Sequence, residues 1–444
     1  MDSFSSERNI TAPWNRRSRR TTRALAAIGA GALVLYGARL LINLYGPALP
    51  YSMAECPGNS NESPEFLQFL SIVTNAALRH ARFRPLVNGT EFYPAELAAL
   101  AKAERSIDME FYEWQEGRIS NEFLQVLTER ARNGVEVRIV VDALGSFKTR
   151  RSIFNELCAA GGKMYWYHPL RWDTWQLANN RTHRKLMIID GETAFVGGAG
   201  IADHWMLPTR KGGPRWRDTV FSIDGDAVSG LLSTFSENWL ETSGEILSSS
   251  KQFGFHPTPQ GSPTLVVSST PRSGGTTARI LFQALIKSAK KSICITTPYF
   301  LPDHSARHAL IEAAEKENIS VRILVAGPHI DHPAVRQMSR HSSRHLLRAG
   351  AEIFEYQPSM IHAKLMVIDD AWCVFGSTNF DHRSFALNDE VNIATLDREL
   401  AASLQRTFEE DLRQSCRLTL KMVARGGLLD NAKLAMGAIL EREV

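Results

Sequence analysis

Two segments of the chain carry the same polar residues at the same spacing. One runs Thr182-His183-Arg184-Lys185, then Asp190, then Gly197-Gly198; the other runs Ile361-His362-Ala363-Lys364, then Asp369, then Gly376-Ser377. Both read His-x-Lys-x4-Asp-x6-Gly-Gly/Ser. One such string would be a weak signal, whereas two in matching contexts are a strong one. With the period of two that a strand imposes, His183 and Lys185 project from one face, as do His362 and Lys364, while Leu186, Ile188, Leu365 and Val367 point the other way. Asp190 and Asp369 stand at odd spacing from the histidines, just before Gly191 and Asp370. They suit a hairpin turn and read as positioning groups. Further along each segment stands another carboxylate, Asp218 in Trp-Arg-Asp and Glu390 in Asn-Asp-Glu, and either can orient an imidazole by accepting its N–H.

Two imidazoles and two ammonium groups suit attack on a phosphodiester. One histidine acts as nucleophile and the other protonates the leaving oxygen. The lysines offset charge on the phosphoryl oxygens. In an in-line displacement these roles lie on opposite sides of phosphorus, so a chain built as two copies can supply one role from each.

The elements that must position these residues also occur twice. In the first half Ser106–Tyr112 reads as a strand, Ile119–Asn133 as a helix stopped by Gly134, Val135–Asp142 as a strand, Thr149–Ala160 as a helix and Lys163–His168 as a strand. The second half answers with strand Ser292–Thr297, helix Ser305–Glu317, strand Ser320–Val325, helix Pro333–Ala349 and strand Ala351–Tyr356. Alternating strands and helices predict an α/β fold, as two helix-covered sheets facing one another across a pseudo-twofold axis.

Composition agrees with a folded body: 44% hydrophobic and 22% charged residues exclude a disordered chain or a coiled coil. The net charge of +4 is carried by residues 1–23, with six arginines against Asp2 and Glu7, and the rest is balanced. No nucleic-acid partner is expected of such a body. Residues 24–46 read as a transmembrane helix or signal anchor; a cleaved signal ending near Ser52-Met53-Ala54 and an interfacial helix are the alternatives. With an anchor or a signal the arginines stay cytoplasmic and the body lies on the far side of the membrane. Five scattered cysteines and the lack of a zinc, calcium or P-loop spacing give no support for a metal, so none is expected.

At this point the chain resembles the phospholipase D superfamily, and within it the bacterial cardiolipin synthases. Supporting strings include Thr297-Pro-Tyr-Phe-Leu-Pro-Asp303 and Asn379-Phe-Asp-His-Arg-Ser-Phe-Ala-Leu-Asn388-Asp-Glu390. The resemblance runs from about Asn75 to Ser415 and implies two tandem phospholipase D-like α-β-α sandwich domains, over 75–245 and 278–415. A linker over 246–277 and an amphipathic tail over 416–444 complete the expected plan. It implies transfer of a phosphatidyl group to a phosphatidylglycerol hydroxyl without metal or cofactor, with His183 attacking and His362 as acid and base. Membrane phospholipids, phosphatidylglycerol or another donor, are then the only expected partners, and hydrolysis of a phosphodiester is the alternative reaction. The resemblance also pairs Asp218 with His183 and Glu390 with His362, and makes Asn379 and Ser377 phosphate contacts. One position departs from the family: seventeen residues after His183 stands Gly200, where an Asn is usual.

Two further features invite expectations. Trp166, Tyr167, Trp172 and Trp175 suggest a lip that enters the lipid interface or a packed loop. Arg336, Arg340, Arg344 and Arg348 form a basic stripe, read as a solvated face or as an attractor of anionic lipid.

Overall fold

The computed structural model describes residues 51–58, 60–169, 179–208, 213–253, 261–270 and 277–423, together with Gly31. The expected span 24–46 (Gly31 apart), Trp172, Trp175 and the tail beyond 423 lie outside the described residues. Among the described residues no helix is long and apolar enough to cross a membrane.

The first half runs α1 (Pro64–Val73), β1 (Leu78–Val87), α2 (Gly89–Ala101), β2 (Ser106–Phe111), α3 (Arg118–Arg132), β3 (Glu136–Asp142), α4 (Asn155–Ala159), β4 (Lys163–Tyr167), β5 (Arg181–Thr182), β6 (Lys185–Ile189), β7 (Thr193–Gly197), β8 (Thr219–Gly225) and α5 (Ala227–Ser243). The second runs β9 (Ser262–Ser269), α6 (Thr277–Ser288), β10 (Ser292–Thr297), β11 (Phe300–Leu301), α7 (His304–Ala314), β12 (Ser320–Ala326), α8 (Pro333–Arg348), β13 (Glu352–Tyr356), β14 (Leu365–Ile368), β15 (Trp372–Gly376), β16 (Phe380–Asp381), α9 (His382–Ala386), β17 (Asn388–Leu396), α10 (Arg398–Arg413), β18 (Ser415–Arg417) and α11 (Leu420–Val423). The repeat read in the sequence is thus a repeat of structure.

Local chemistry accounts for these elements. In α3, Ile119, Phe123, Leu127 and Ala131 are buried along one face, and Gly134, at φ +85°, ends the turn that follows. The Asp203 carboxylate accepts the N–H groups of Arg118 and Ile119 at the start of α3, at 3.0 and 2.9 Å. In β6 and β14 the runs Lys-Leu-Met-Ile-Ile and Leu-Met-Val-Ile are apolar on both faces for a reason. Met187 and Ile189 enter the first half's own core with α2 and α3, while Leu186 and Ile188 enter a core shared by both halves. Met366, Ile368 and Val367 divide in the same way between the second half's core and the shared one. In that shared core Phe221 stacks on Phe375 with ring centroids 3.7 Å apart.

The expectation of two separate sheets needs correction. β17 pairs with β9, β9 with β1 and β1 with β8, so the sheets of the two halves are joined into one. Its order is β18-β13-β12-β10-β14-β15-β17-β9-β1-β8-β7-β6-β2-β3-β4, with β5 alongside β17. The expected linker 246–277 accordingly contains β9. Leu265 and Val267 are buried there, which gives a strand to a stretch that Pro, Ser and Thr make look like a connector. The residues before 75 also belong to the body, packed on the second half. Asn61 Nδ2 donates to Asp369 at 2.9 Å, Phe66 meets Trp372 edge-on and the Tyr51 hydroxyl donates to Asp303 at 2.7 Å.

The basic stripe on α8 is neither a solvated face nor a free lipid attractor over its first two turns. Arg336 and Arg340 converge on Glu355, whose side chain is 2% exposed, with N to O distances of 2.6 Å each. Arg344 donates to the Val423 carbonyl at 3.0 Å.

Candidate active site

Each motif histidine sits in a break just before a strand, not within one as its spacing suggests: β6 starts at Lys185 and β14 at Leu365. The backbone explains this. The His183 N–H donates to the Asp389 carbonyl at 2.9 Å, and the His362 N–H donates to the Arg217 carbonyl at 2.7 Å. Short parallel pairings, Thr182 with Asp389 and Ile361 with Arg217, hold each segment on the opposite half. The residue after each of these carbonyls is a carboxylate, Glu390 or Asp218.

The carboxylate partners are therefore crossed. His183 Nδ1 lies 2.9 Å from Glu390 Oε1, and His362 Nδ1 lies 3.1 Å from Asp218 Oδ2. This corrects the pairing of Asp218 with His183 and Glu390 with His362: the strand exchange gives each half the other's carboxylate. Glu390 is held further by the Ser377 hydroxyl, which donates to its Oε2 at 2.5 Å. Asp218 accepts from Trp205 Nε1 at 3.1 Å and from the Thr219 N–H at 2.8 Å. The first-half counterpart of Ser377 is Gly198, where a Cβ would fall 2.6 Å from the His362 carbonyl and 2.7 Å from Asp218 Oδ2. Only glycine admits the crossing there.

The lysines stay with their histidines. Lys185 Nζ donates to the His183 carbonyl at 2.6 Å, and Lys364 Nζ donates to the His362 carbonyl at 2.5 Å and lies 2.8 Å from its Nδ1. All four side chains are nearly sealed from solvent, and burial sets their charges. Burial and the charges of Lys185, Lys364 and Arg383 hold His183 well below the ordinary imidazole value. Burial and Lys364 lower His362 to about 3 against the pull of Asp218. Burial lowers Lys364 to about 8 and brings Lys185 well below its usual range. Burial pushes Asp218 up, but the hydrogen bond and charge of His362 outweigh it and leave the carboxyl below its normal value. Both imidazoles are neutral near pH 7, each with Nδ1 against a carboxylate, which makes Nε2 the nitrogen free of a proton.

His183, Lys185 and His362 line one cavity of about 380 Å³. Other walls come from residues that the motif does not reveal. The Tyr112 ring stands 5.2 Å from that of His183 and 5.3 Å from Lys185 Nζ, and Trp216 lies 5.4 Å from the His362 ring. Asp331, held by the Tyr299 hydroxyl at 2.7 Å, and Glu113 complete the polar wall. Burial pushes the Glu113 carboxyl up to about 7, with Lys185 pulling it down. Tyr112 and Glu113 follow directly on β2, and that position at the end of a strand is the one sequence signal that could have found them.

The remaining motif residues lie elsewhere. Asp190, at φ +54°, and Asp369, also at +54°, occupy the hairpin turns at the far ends of β6 and β14. Asp190 accepts the N–H groups of Glu104, Arg105 and Ser106 at 3.0, 2.6 and 2.8 Å. Asp369 accepts those of Lys290, Lys291 and Ser292 at 2.8, 2.7 and 3.0 Å. They clamp the start of the neighbouring strand and do not join the histidines. Asn379 is buried, with Oδ1 unpaired among the described residues, while the Ser377 hydroxyl is engaged with Glu390.

A duplicated α/β body whose two halves exchange carboxylates around a His/Lys pair defines a phospholipase D-like fold. A solved structure of phosphatidylserine synthase from Haemophilus influenzae Rd KW20 shares it, with a TM-score of 0.64 and 14% identity over 85% of this chain and 97% of that one. The family described as "Cardiolipin synthase, PLD-like domain" matches residues 97–206 and 282–412. Among curated relatives, the probable cardiolipin synthase YwiE of Bacillus subtilis (strain 168) is 34% identical over 354 residues, 80% of this chain and 70% of the relative. The cardiolipin synthase 2 of Bacillus cereus is 35% identical over 75% of this chain and 65% of its own length. The cardiolipin synthase of Listeria monocytogenes serotype 4b is 32% identical over 80% of this chain and 73% of its own. The chain belongs to the cardiolipin synthase family of phospholipase D-like phosphatidyltransferases.

Proposed function

We propose that the protein makes cardiolipin, transferring a phosphatidyl group from one phosphatidylglycerol to the glycerol hydroxyl of another. The observation that carries this reading is the pair of neutral imidazoles, each held at Nδ1 by a buried carboxylate of the opposite half and flanked by its own lysine. His183 Nε2 attacks phosphorus, and the bond from phosphorus to the leaving glycerol oxygen breaks as His362 Nε2 supplies that oxygen with a proton. His362 takes up this proton once the anionic phosphodiester is in place, because the added negative charge offsets Lys185 and Lys364. The phosphatidyl group then rests on His183. An acceptor hydroxyl gives its proton to His362 and attacks phosphorus, and the P–N bond breaks. Lys185 and Lys364 stabilise the charge that builds on the phosphoryl oxygens, in a setting where water is largely excluded. Asn379 adds a phosphate contact from the second half. The N-terminal stretch 24–46 serves as the anchor that keeps this body at a membrane, with the active site on the far side from the arginines.

The test incubates the detergent-solubilised protein with phosphatidylglycerol and follows products by mass spectrometry. Cardiolipin with one equivalent of free glycerol, absent in His183→Ala, is expected. Phosphatidic acid without cardiolipin would overturn the transferase in favour of a hydrolase.

A further inference from the structure

Gly200 stands where the matching position of the second half holds Asn379, and the structure shows what fills that place. A Cβ at Gly200 would lie 2.5 Å from the Glu113 carbonyl oxygen and 3.0 Å from Glu113 Cβ, so no side chain fits. The backbone is fixed by paired bonds, Ile201 N–H to the Glu113 carbonyl at 2.9 Å and Gln115 N–H to the Ile201 carbonyl at 2.8 Å. The same pairing recurs in the second half as Phe300 with Phe380, which puts Tyr299 at the place of Glu113. The Tyr299 hydroxyl is taken up by Asp331. The first-half wall of the cavity therefore ends in the Glu113 carboxylate with no counterpart of the Asn379 amide, while the second half presents Asp331 held by Tyr299.

That exchange changes what the wall can bind. An amide N–H donates to a phosphoryl oxygen, whereas an ionised carboxylate, the form Glu113 takes above about pH 7, only accepts and is repelled by a phosphate. A hydroxyl is its natural partner. One oxygen of Glu113 is engaged by the Gln115 amide, and the other lies 4.0 Å from His204 Nε2, with the side chain 19% exposed to the cavity. Beyond Glu113 the catalytic cavity continues into a second one of about 660 Å³, the two sharing Gln115, Lys148, Thr149 and His204. This outer cavity is lined by none of the catalytic histidines or lysines. In it Lys148 has no carboxylate within ion-pair distance among the described residues, in contrast to Arg150, which Glu116 engages at 2.7 Å. Exposed Phe147 beside it, 68% accessible, adds an apolar wall to the inner cavity.

We infer that Glu113 and Lys148 form the acceptor subsite. The Glu113 carboxylate accepts a hydrogen bond from the glycerol headgroup of the incoming lipid, and the Lys148 ammonium pairs with that lipid's own phosphate. Phosphorus bound to His183 leaves the outer cavity open, so donor and acceptor phosphates occupy separate cationic positions. A polyol held at Glu113 then competes with water for the phosphatidyl-enzyme. This assignment rests on the transferase reading above.

The experiment measures the ratio of cardiolipin to phosphatidic acid formed from phosphatidylglycerol micelles by the full chain, by Glu113→Val, by Glu113→Gln and by Lys148→Met. Both products descend from one intermediate. A loss of folded protein, of donor binding or of nucleophile strength lowers both and leaves their ratio alone. Glu113→Val and Lys148→Met should each lower the ratio about tenfold, the effect of one lost hydrogen bond or ion pair to the acceptor. Glu113→Gln, which keeps an accepting oxygen, should restore most of it. An unchanged ratio in Glu113→Val or in Lys148→Met would overturn the role given to that residue. A wild-type chain that yields no cardiolipin would instead remove the transferase reading beneath both.

Discussion

A neutral imidazole can attack phosphorus only through the nitrogen that carries no proton, so the placement of one proton decides whether this site works. Glu390 and Asp218 fix it by accepting at Nδ1 of His183 and His362. The lysines must meanwhile keep their charge in a site that burial makes costly for it. Lys364, lowered to about 8, is protonated below that value and loses its charge as pH rises through it. Because donor binding takes up the His362 proton, we expect kcat/KM to fall with rising pH through neutrality and to fall more steeply above about pH 8. The acid limb should lie below pH 6, because both histidines titrate below the usual imidazole range. Lys364→Arg, which stays charged throughout, should abolish the added steepness above pH 8 at the cost of lower values throughout, and a pH profile of the two proteins checks this. At this scale the sequence was informative about the groups proposed to react: residue type and spacing alone single out His183, Lys185, His362 and Lys364. It could not assign their partners. Asp218 and Glu390 each follow a histidine in their own half, and nothing in one dimension shows that a strand exchange hands each to the other.

At the scale of elements, the aspartates of the two motifs are framework. Asp190 and Asp369 adopt a left-handed backbone that Asp tolerates better than most residues, and their carboxylates gather three backbone N–H groups at the start of the neighbouring strand. Asp369→Ala should destabilise the protein by about 2–4 kcal/mol, since it leaves the buried Asn61 amide and three partly buried backbone donors without a partner. Denaturant titration measures that loss, and kcat per folded molecule should stay within about threefold of wild type. A collapse of kcat with stability intact would place Asp369 in the chemistry. Periodicity found the strands that bear the site because their apolar runs are buried on both faces. It missed β1, whose exposed positions include Arg82 and Arg84, and β9, whose apolar positions are scattered through Ser, Thr and Pro. Those two strands are where the halves meet, and their polarity comes from lying at a seam with one face less covered.

For the molecule as a whole, the crossed carboxylates and the continuous sheet mean that neither half holds a complete site. Leu265 in β9 is fully buried, in the strand that bonds to both β1 and β17. Leu265→Ala should cost about 2–5 kcal/mol, and both halves should unfold in one transition displaced to lower temperature. Two separated transitions, followed by calorimetry, would contradict such coupling. The duplication was legible from the repeated motif, and so was the family. The joining of the sheets was not, because hydrogen bonding between distant edges leaves no periodic trace.

The central claim is that a phosphatidyl group passes through His183 while the second half serves it from across the seam. The most direct measurement quenches the enzyme with phosphatidylglycerol in cold neutral denaturant during turnover and maps the covalent adduct by peptide mass spectrometry. The account predicts a phosphatidyl group on the peptide that contains His183, accumulating further in His362→Asn, where the leaving oxygen and the acceptor lose their proton partner and breakdown slows more than formation. An adduct on the His362 peptide, or steady turnover with both His183 and His362 replaced, would contradict it.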